Sequence, residues 1–289
     1  MTLSPDPQGN PTIHPDTSMN SSRLPIALVV LLVFLLPSAG TAQEGGGQSS
    51  ADDLAKALQN PVASLISVPF QNNFDFGIGP ADGSRWTLNV QPVIPMSISE
   101  NWNLIGRVIL PVISQNDVFG ESGRQTGLGD AVVSGFFSPK EPTEGGLIWG
   151  VGPAFLVPTA TDDLLGLDKF GLGPTAVALK QAGLWTYGAL VNHIWSVAGD
   201  DDRGDVSVSF LQPFVARNFP GGYALTLNTE LTQDWEGDAT SGWLNVVGSK
   251  VLTLGGQATQ IAVGPRIPYG NGNPADWGFR AVFVLLFPR

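Results

Sequence analysis

The stretch Tyr223-Ala224-Leu225-Thr226-Leu227-Asn228-Thr229-Glu230-Leu231-Thr232-Gln233-Asp234-Trp235 takes turns. Its odd positions are mostly apolar and its even positions carry Thr226, Asn228, Glu230, Thr232 and Asp234. Side chains of a strand alternate between faces, so one face meets something oily and the other meets water. About a dozen segments of this kind run from Leu65 to Arg289, separated by Gly, Pro, Asn and Asp clusters. Strands are expected near 65-78, 84-98, 101-113, 125-138, 146-158, 171-181, 184-198, 206-217, 221-235, 243-253, 257-268 and 277-288.

An even count puts both ends of the chain on one side, and the connections then sort by length. Tight turns fall at Ser99-Glu100, Ala182-Gly183, Pro220-Gly221 and Gly255-Gly256, with Pro139 to Gly145 the exception. Longer ones, on the other side, are Gln115 to Arg124, Ala160 to Phe170, Gly199 to Asp205, Glu236 to Gly242 and Tyr269 to Asp276. Short periplasmic turns and longer external loops belong to outer-membrane barrels. Indole prefers a membrane interface. Trp102, Trp149 and Trp185 fall near the periplasmic strand ends, and Trp86, Trp195, Trp235, Trp243 and Trp277 near the external ends, which predicts two girdles.

Lipid-facing rows are legible directly. They include Ile66, Val68, Phe70, Phe74 and Phe76; Trp86, Leu88, Val90, Ile94 and Met96; and Trp277, Phe279, Ala281, Phe283, Leu285 and Phe287. Inside a bilayer no water satisfies the backbone, so a sheet exposed to lipid must close on itself. The expected fold class is therefore all-β: a closed antiparallel transmembrane β-barrel of about twelve strands in a Gram-negative outer membrane, with a short N-terminal helix.

Three regions are expected. Residues 1-42 form an N-terminal extension and signal peptide: Arg23 precedes the apolar run Leu24 to Leu36, Pro37 and Ser38 end it, and Gly40-Thr41-Ala42 offers a cleavage point before Gln43. The run's 13 residues fall short of the roughly 20 a spanning helix takes. Met19 is an alternative start to Met1. Residues 43-64 hold a linker and a short helix, with Leu54, Leu58 and Val62 on one face, that either plugs a lumen, rests beneath it or leads in as frayed chain. Residues 65-289 are the barrel.

Composition narrows the function. With 36 Gly, 23 Pro, no Cys and 13% charged residues, the chain resembles neither a helical enzyme nor a disulfide scaffold, and its Gly and Pro are expected at strand turns. A formal charge of -11 argues against nucleic acid, which needs clustered Lys and Arg. His193 is the one histidine after the signal, and Ser196, three positions on, points the opposite way along a strand. No enzymatic site, metal site or cofactor is expected. Asp200-Asp201-Asp202-Arg203-Gly204-Asp205 reads as a solvated turn; it lacks the later Glu of an EF-hand calcium loop.

Three blocks carry a resemblance: Gln59-Asn60-Pro61-Val62-Ala63-Ser64-Leu65-Ile66-Ser67-Val68-Pro69-Phe70-Gln71-Asn72-Asn73-Phe74; Leu88-Asn89-Val90-Gln91-Pro92-Val93-Ile94-Pro95; and Ile148-Trp149-Gly150-Val151-Gly152-Pro153 through Pro158-Thr159-Ala160-Thr161-Asp162. From about Asp52 onward the chain resembles the outer-membrane transporter proteins grouped with the phenol meta-cleavage-pathway barrel proteins, some of which are labelled neuromedin U. The resemblance implies an outer-membrane barrel that moves small compounds, hydrophobic or aromatic ones among them. It supplies no functional residues. The final Val282 to Phe287 run resembles the signal read by the barrel-insertion machinery, though Pro288 and Arg289 follow its aromatic residue.

Charged residues within strands are costly facing lipid at mid-depth and are expected to line the pore: Asp75, Arg85, Arg107, Asp130, Lys180, Glu230, Asp234, Lys250, Arg266 and Arg280. They would form either cross-lumen ion pairs that stiffen the wall or a constriction that screens solutes. Acidic residues dominate the expected external loops, so the mouth attracts cations, including divalent ions that bridge lipopolysaccharide. The expected function is passive passage of small solutes, with outer-membrane lipid as surroundings. The alternative is a structural or adhesive barrel with a sealed lumen. The oligomeric state is not set by the sequence.

Overall fold

Alternating apolar and polar residues draw fourteen segments, from Ile66 to Phe287, into one antiparallel sheet. The computed structural model describes residues 4–5, 11–12 and 50–288. β1 (Ser4–Pro5) pairs antiparallel with β2 (Pro11–Thr12). The expected signal run, its cleavage point, the linker up to residue 49 and Arg289 lie outside the described residues.

The sheet comprises β3 (Ile66–Ile78), β4 (Gly83–Val90), β5 (Val93–Ser97), β6 (Trp102–Asn116), β7 (Arg124–Leu128), β8 (Ala131–Pro139), β9 (Leu147–Val157) and β10 (Lys169–Ala182). It continues through β11 (Trp185–Gly199), β12 (Ser207–Phe219), β13 (Tyr223–Asp234), β14 (Ala239–Leu254), β15 (Gln257–Tyr269) and β16 (Trp277–Phe287). β4 and β5 lie end to end between β3 and β6, and β7 and β8 lie end to end along β6. Fourteen segments thus make a twelve-stranded barrel, as the alternation predicts.

Closure runs along β16 and β3, from Phe287 opposite Ile66 to Trp277 opposite Phe76. Cross-strand rings fix this register on the outer face: Phe70 with Phe283 and Phe74 with Phe279 at 6.5 Å, and Phe76 stacked on Trp277 at 4.5 Å. Each strand's other face turns inward, where Asn73 accepts from Arg280 Nε at 2.8 Å. Outer positions stay open to the surroundings, with Val197 at 60% and Trp235 at 61% exposure, because no protein layer covers them. An oily exterior on a closed wall is the arrangement lipid requires.

Gly and Pro do more than turn the chain. Gly152-Pro153, Gly173-Pro174 and Gly264-Pro265 sit inside strands, and the ladder skips rungs at each of them. Proline donates no N–H, so the rung opens. A Cβ on the glycine would then lie 1.8 Å from Gly135 O, 1.7 Å from His193 O or 1.9 Å from Val246 O respectively, distances that only a missing side chain permits. All three pairs lie inside the strands expected at 146-158, 171-181 and 257-268, where they open the ladder rather than turn the chain.

The short helix is present. α1 (Ala51–Leu58) is capped by Ser50, whose Oγ accepts from Asp53 N at 3.1 Å, and it carries Asp52 and Asp53 in its first turn. Leu54 and Ala55 bury against inward-facing Val251, Val284 and Leu286. Asp52 Oδ1 accepts from Gly222 N at 2.6 Å and Lys56 O from Gln181 Nε2 at 2.9 Å, while Thr226 Oγ1 donates to Gln59 Oε1 at 3.3 Å. Further along, Val62 joins Ile105, Phe136, Val177, Leu179 and Leu190, and Asn103 Nδ2 donates to Ser64 Oγ at 3.1 Å. Residues 51–64 therefore occupy the short-turn end of the ring from within.

Candidate functional site

Above that segment the inner wall encloses a chamber of roughly 400 Å³, within the usual range of small-molecule sites. Two arcs of strands line it, and they differ in chemistry. β13 to β16, β3, β4 and β6 form one contiguous arc, which carries Glu230, Arg266, Arg280, Asp75, Arg85 and Arg107. Strands β8, β9, β11 and β12 line the other side with Val132, Phe136, Leu156, Leu190, Ile194, Val208 and Phe210, and with the uncharged polar Ser134, Asn192 and Gln212 among them.

The charged arc is held by paired hydrogen bonds. Arg280 Nη1 and Nη2 each donate to a Glu230 carboxylate oxygen at 2.8 Å, a bidentate clamp of two inward side chains. Arg266 Nη1 donates to Asp75 Oδ1 at 2.7 Å, with Nη2 3.8 Å from Glu230. Among the described residues Arg266 Nε finds no hydrogen-bond partner, but the guanidinium lies 4.1 Å from the ring centroid of Trp243, which faces it with π density. Arg85 Nε donates to Gln115 Oε1 at 2.8 Å, and Arg107 Nη2 donates to Gln91 Oε1 at 2.8 Å.

Six of the ten expected pore residues are thus brought together, and four are not. Asp130 lies in the break between β7 and β8, where its carboxylate accepts from Ala160 N at 3.1 Å and Leu167 N at 2.6 Å. It tethers the 158–168 loop. Arg203 holds the loop's far side through the carbonyls of Asp163 and Gly166, and Leu167 lines the chamber. Asp234 caps the β13–β14 turn, accepting from Glu236 N at 3.0 Å and Gly237 N at 3.1 Å.

Lys180 and Lys250 face outward, and the expectation for them is corrected. Lys180 is exposed and pairs in register with the exposed Tyr187. Lys250 shares a face with Ile261 and Tyr223, donates to the Tyr223 hydroxyl at 2.8 Å and lies 4.4 Å from that ring. Both sit at the short-turn end, where a lysine reaches headgroups and the penalty for facing lipid fades to about 0–1 kcal/mol. Trp243 is corrected too: it pairs with inward-facing Glu230 and packs inside on Arg266 rather than in a girdle.

On the outer face His193 Nδ1 and Ser209 Oγ stand 2.7 Å apart, a cross-strand contact that spacing within one strand does not reveal. Trp235 Nε1 donates to the same Oγ at 2.9 Å; among the described residues His193 Nε2 has no hydrogen-bond partner, and the ring packs on Trp195 at 4.0 Å. Asp200 to Asp205 form a turn in which Asp202 N donates to Asp200 Oδ1 at 2.9 Å. No cluster of metal-ligating residues occurs among the described residues.

No family model matches the chain, and no curated protein matches it in sequence. Solved structures do. An outer-membrane channel from Pseudomonas putida F1 is similar at 15% identity and TM-score 0.61, over 77% of this chain and 94% of that one. The β domain of the Bordetella autotransporter BrkA matches at 12% identity and TM-score 0.43, over 78% of this chain and 100% of that one. The outer-membrane phospholipase of Salmonella typhi matches at 11% identity and TM-score 0.44, over 83% of this chain and 99% of that one. The first of these likenesses shows a shared fold, that of a bacterial outer-membrane barrel.

Proposed function

We propose that the protein is a passive outer-membrane conduit for small solutes, with the long-loop end outside and the short-turn end in the periplasm. Residues 1–42 serve export and are removed. Residues 43–64 act as a plug, and the ten-residue expectation for the pore reduces to Asp75, Arg85, Arg107, Glu230, Arg266 and Arg280. The observation that carries this reading is the two-faced chamber between the 158–168 loop and the 51–64 segment. A wall that only anchored the chain in lipid would have no need of charged side chains clamped around a hydrated space. The function needs no catalysis, and among the described residues no carboxylate hydrogen-bonds the His193 of the His193–Ser209 pair.

Outer-membrane lipid surrounds the wall, the insertion machinery reads its C-terminal strand, and acidic loop residues such as Asp82, Asp117 and Asp238 bind lipopolysaccharide through divalent cations. Planar-bilayer recording tests the conduit. The mature chain should give small discrete conductance steps, and a variant lacking 50–64 should give larger ones. Silence from both would instead support a sealed structural barrel, which the Arg280–Glu230 clamp and the seated segment would also suit.

A further inference from the structure

Charge in the chamber wall does not balance. The arc sets four guanidinium groups, Arg85, Arg107, Arg266 and Arg280, against two carboxylates, Asp75 and Glu230. Arg280 takes Glu230 and Arg266 takes Asp75, so Arg85 and Arg107 are left with glutamine partners. Of these two, Arg107 lines the chamber. Its one hydrogen bond among the described residues goes from Nη2 to Gln91, and no carboxylate there lies within 4.0 Å of it. Buried charges are ordinarily paired, and a guanidinium with spare parallel N–H groups matches a carboxylate in bidentate fashion.

Beside Arg107 on the paired strand β8 stand Val132 and Phe136, and the lining continues through Leu156, Leu190 and Phe210. Ser134, Asn192 and Gln212 interrupt this wall, but it carries no charge and is mostly apolar, which favours a hydrocarbon chain or ring over a hydrated inorganic anion. We propose that the chamber is a binding site for a small amphipathic carboxylate, its carboxylate on Arg107 and its apolar body along the β8–β12 arc. The site rests on the conduit reading and names the class of solute that reading leaves open. Bound there, the ligand removes the uncompensated charge and covers apolar wall at the same time. A neutral analogue achieves only the second, and a cationic analogue adds repulsion from the excess guanidinium groups.

The test uses the mature full chain in phospholipid nanodiscs, titrated calorimetrically with 4-phenylbutyrate, 4-phenylbutanol and 4-phenylbutylamine, with empty nanodiscs subtracted. The acid should bind about tenfold or more tightly than the alcohol, and the amine should bind least. Arg107→Gln should erase the preference for acid over alcohol, whereas Arg107→Lys, which keeps charge without the fork, should retain part of it. Leu190→Asn should weaken acid and alcohol alike. Equal binding of acid and alcohol to the parent chain, or a preference unchanged in a folded Arg107→Gln, overturns the site. Conductance recorded on the same preparation separates the two claims: binding with silent bilayers sinks the conduit and leaves the site, while open channels without binding sink the site alone.

Discussion

Arg280 and Arg107 illustrate two fates of a charge turned away from lipid. Arg280 is 4% exposed and doubly bonded to Glu230, so replacing it with Gln leaves the half-buried Glu230 carboxylate only Arg266 at 3.8 Å and Gln212 at 3.4 Å. Breaking such a pair costs about 3–5 kcal/mol, and Arg280→Gln should lower the urea midpoint of refolded barrels accordingly. Changing both partners together, Arg280→Met with Glu230→Leu, should recover most of that loss; equal midpoints for the single and double variants would contradict the clamp. The six residues that do meet were legible from sequence because lipid at mid-depth forbids charge, which leaves the lumen as their one destination. Lys180 and Lys250 escaped that logic because the rule weakens toward the interface, and depth cannot be read from alternation alone. Trp243 escaped it because an indole beside a guanidinium is as content in a lumen as in a girdle.

At the scale of elements, β13 and β11 show why some strands read easily and others do not. β13 separates Thr226, Asn228 and Glu230 from Leu225 and Leu227, so its faces declare themselves. β11 carries Leu190 and Ile194 inward and Val191 and Trp195 outward, apolar on both faces, and its period is hidden. The apolar arc of the chamber was invisible for that reason. The within-strand Gly-Pro pairs fall inside the expected strands, but that they open rungs is visible only in the ladder. Gly173→Ala places a methyl group against His193 O, 1.7 Å away before relaxation, and overpacking of this kind costs about 1–3 kcal/mol. The variant should unfold at lower urea than Gly183→Ala, where nothing lies within 4 Å of the added carbon but the φ of +59° imposes strain of its own. α1 is held to the wall in part by Asp52 on Gly222 N and Gln181 on Lys56 O. Removing both side-chain contacts, Asp52→Ala with Gln181→Ala, should raise the fraction of time spent in the larger conductance state; an unchanged record would remove the plug from the account.

The barrel of residues 66–287 is a ring whose outside is mainly apolar, with Lys180 and Lys250 at its short-turn end, and whose inside gathers its charge on one arc and most of its apolar lining on the other. Closure along the Phe70–Phe283 and Phe74–Phe279 seam removes both sheet edges. An unheated sample should therefore keep its barrel in detergent and shift mobility on a gel after boiling, and one that ran identically with and without heat would argue against a closed wall. The most direct measurement compares single-Trp variants in bilayers of brominated lipid, one keeping Trp102, one Trp235 and one Trp243. Bromine quenches indoles it can touch. Trp102 and Trp235, exposed on the outer wall, should be strongly quenched, while Trp243, stacked on Arg266 within, should keep its fluorescence. Equal quenching of Trp243 and Trp235 would mean that the inner face meets hydrocarbon too, and the ring around a hydrated chamber would be contradicted.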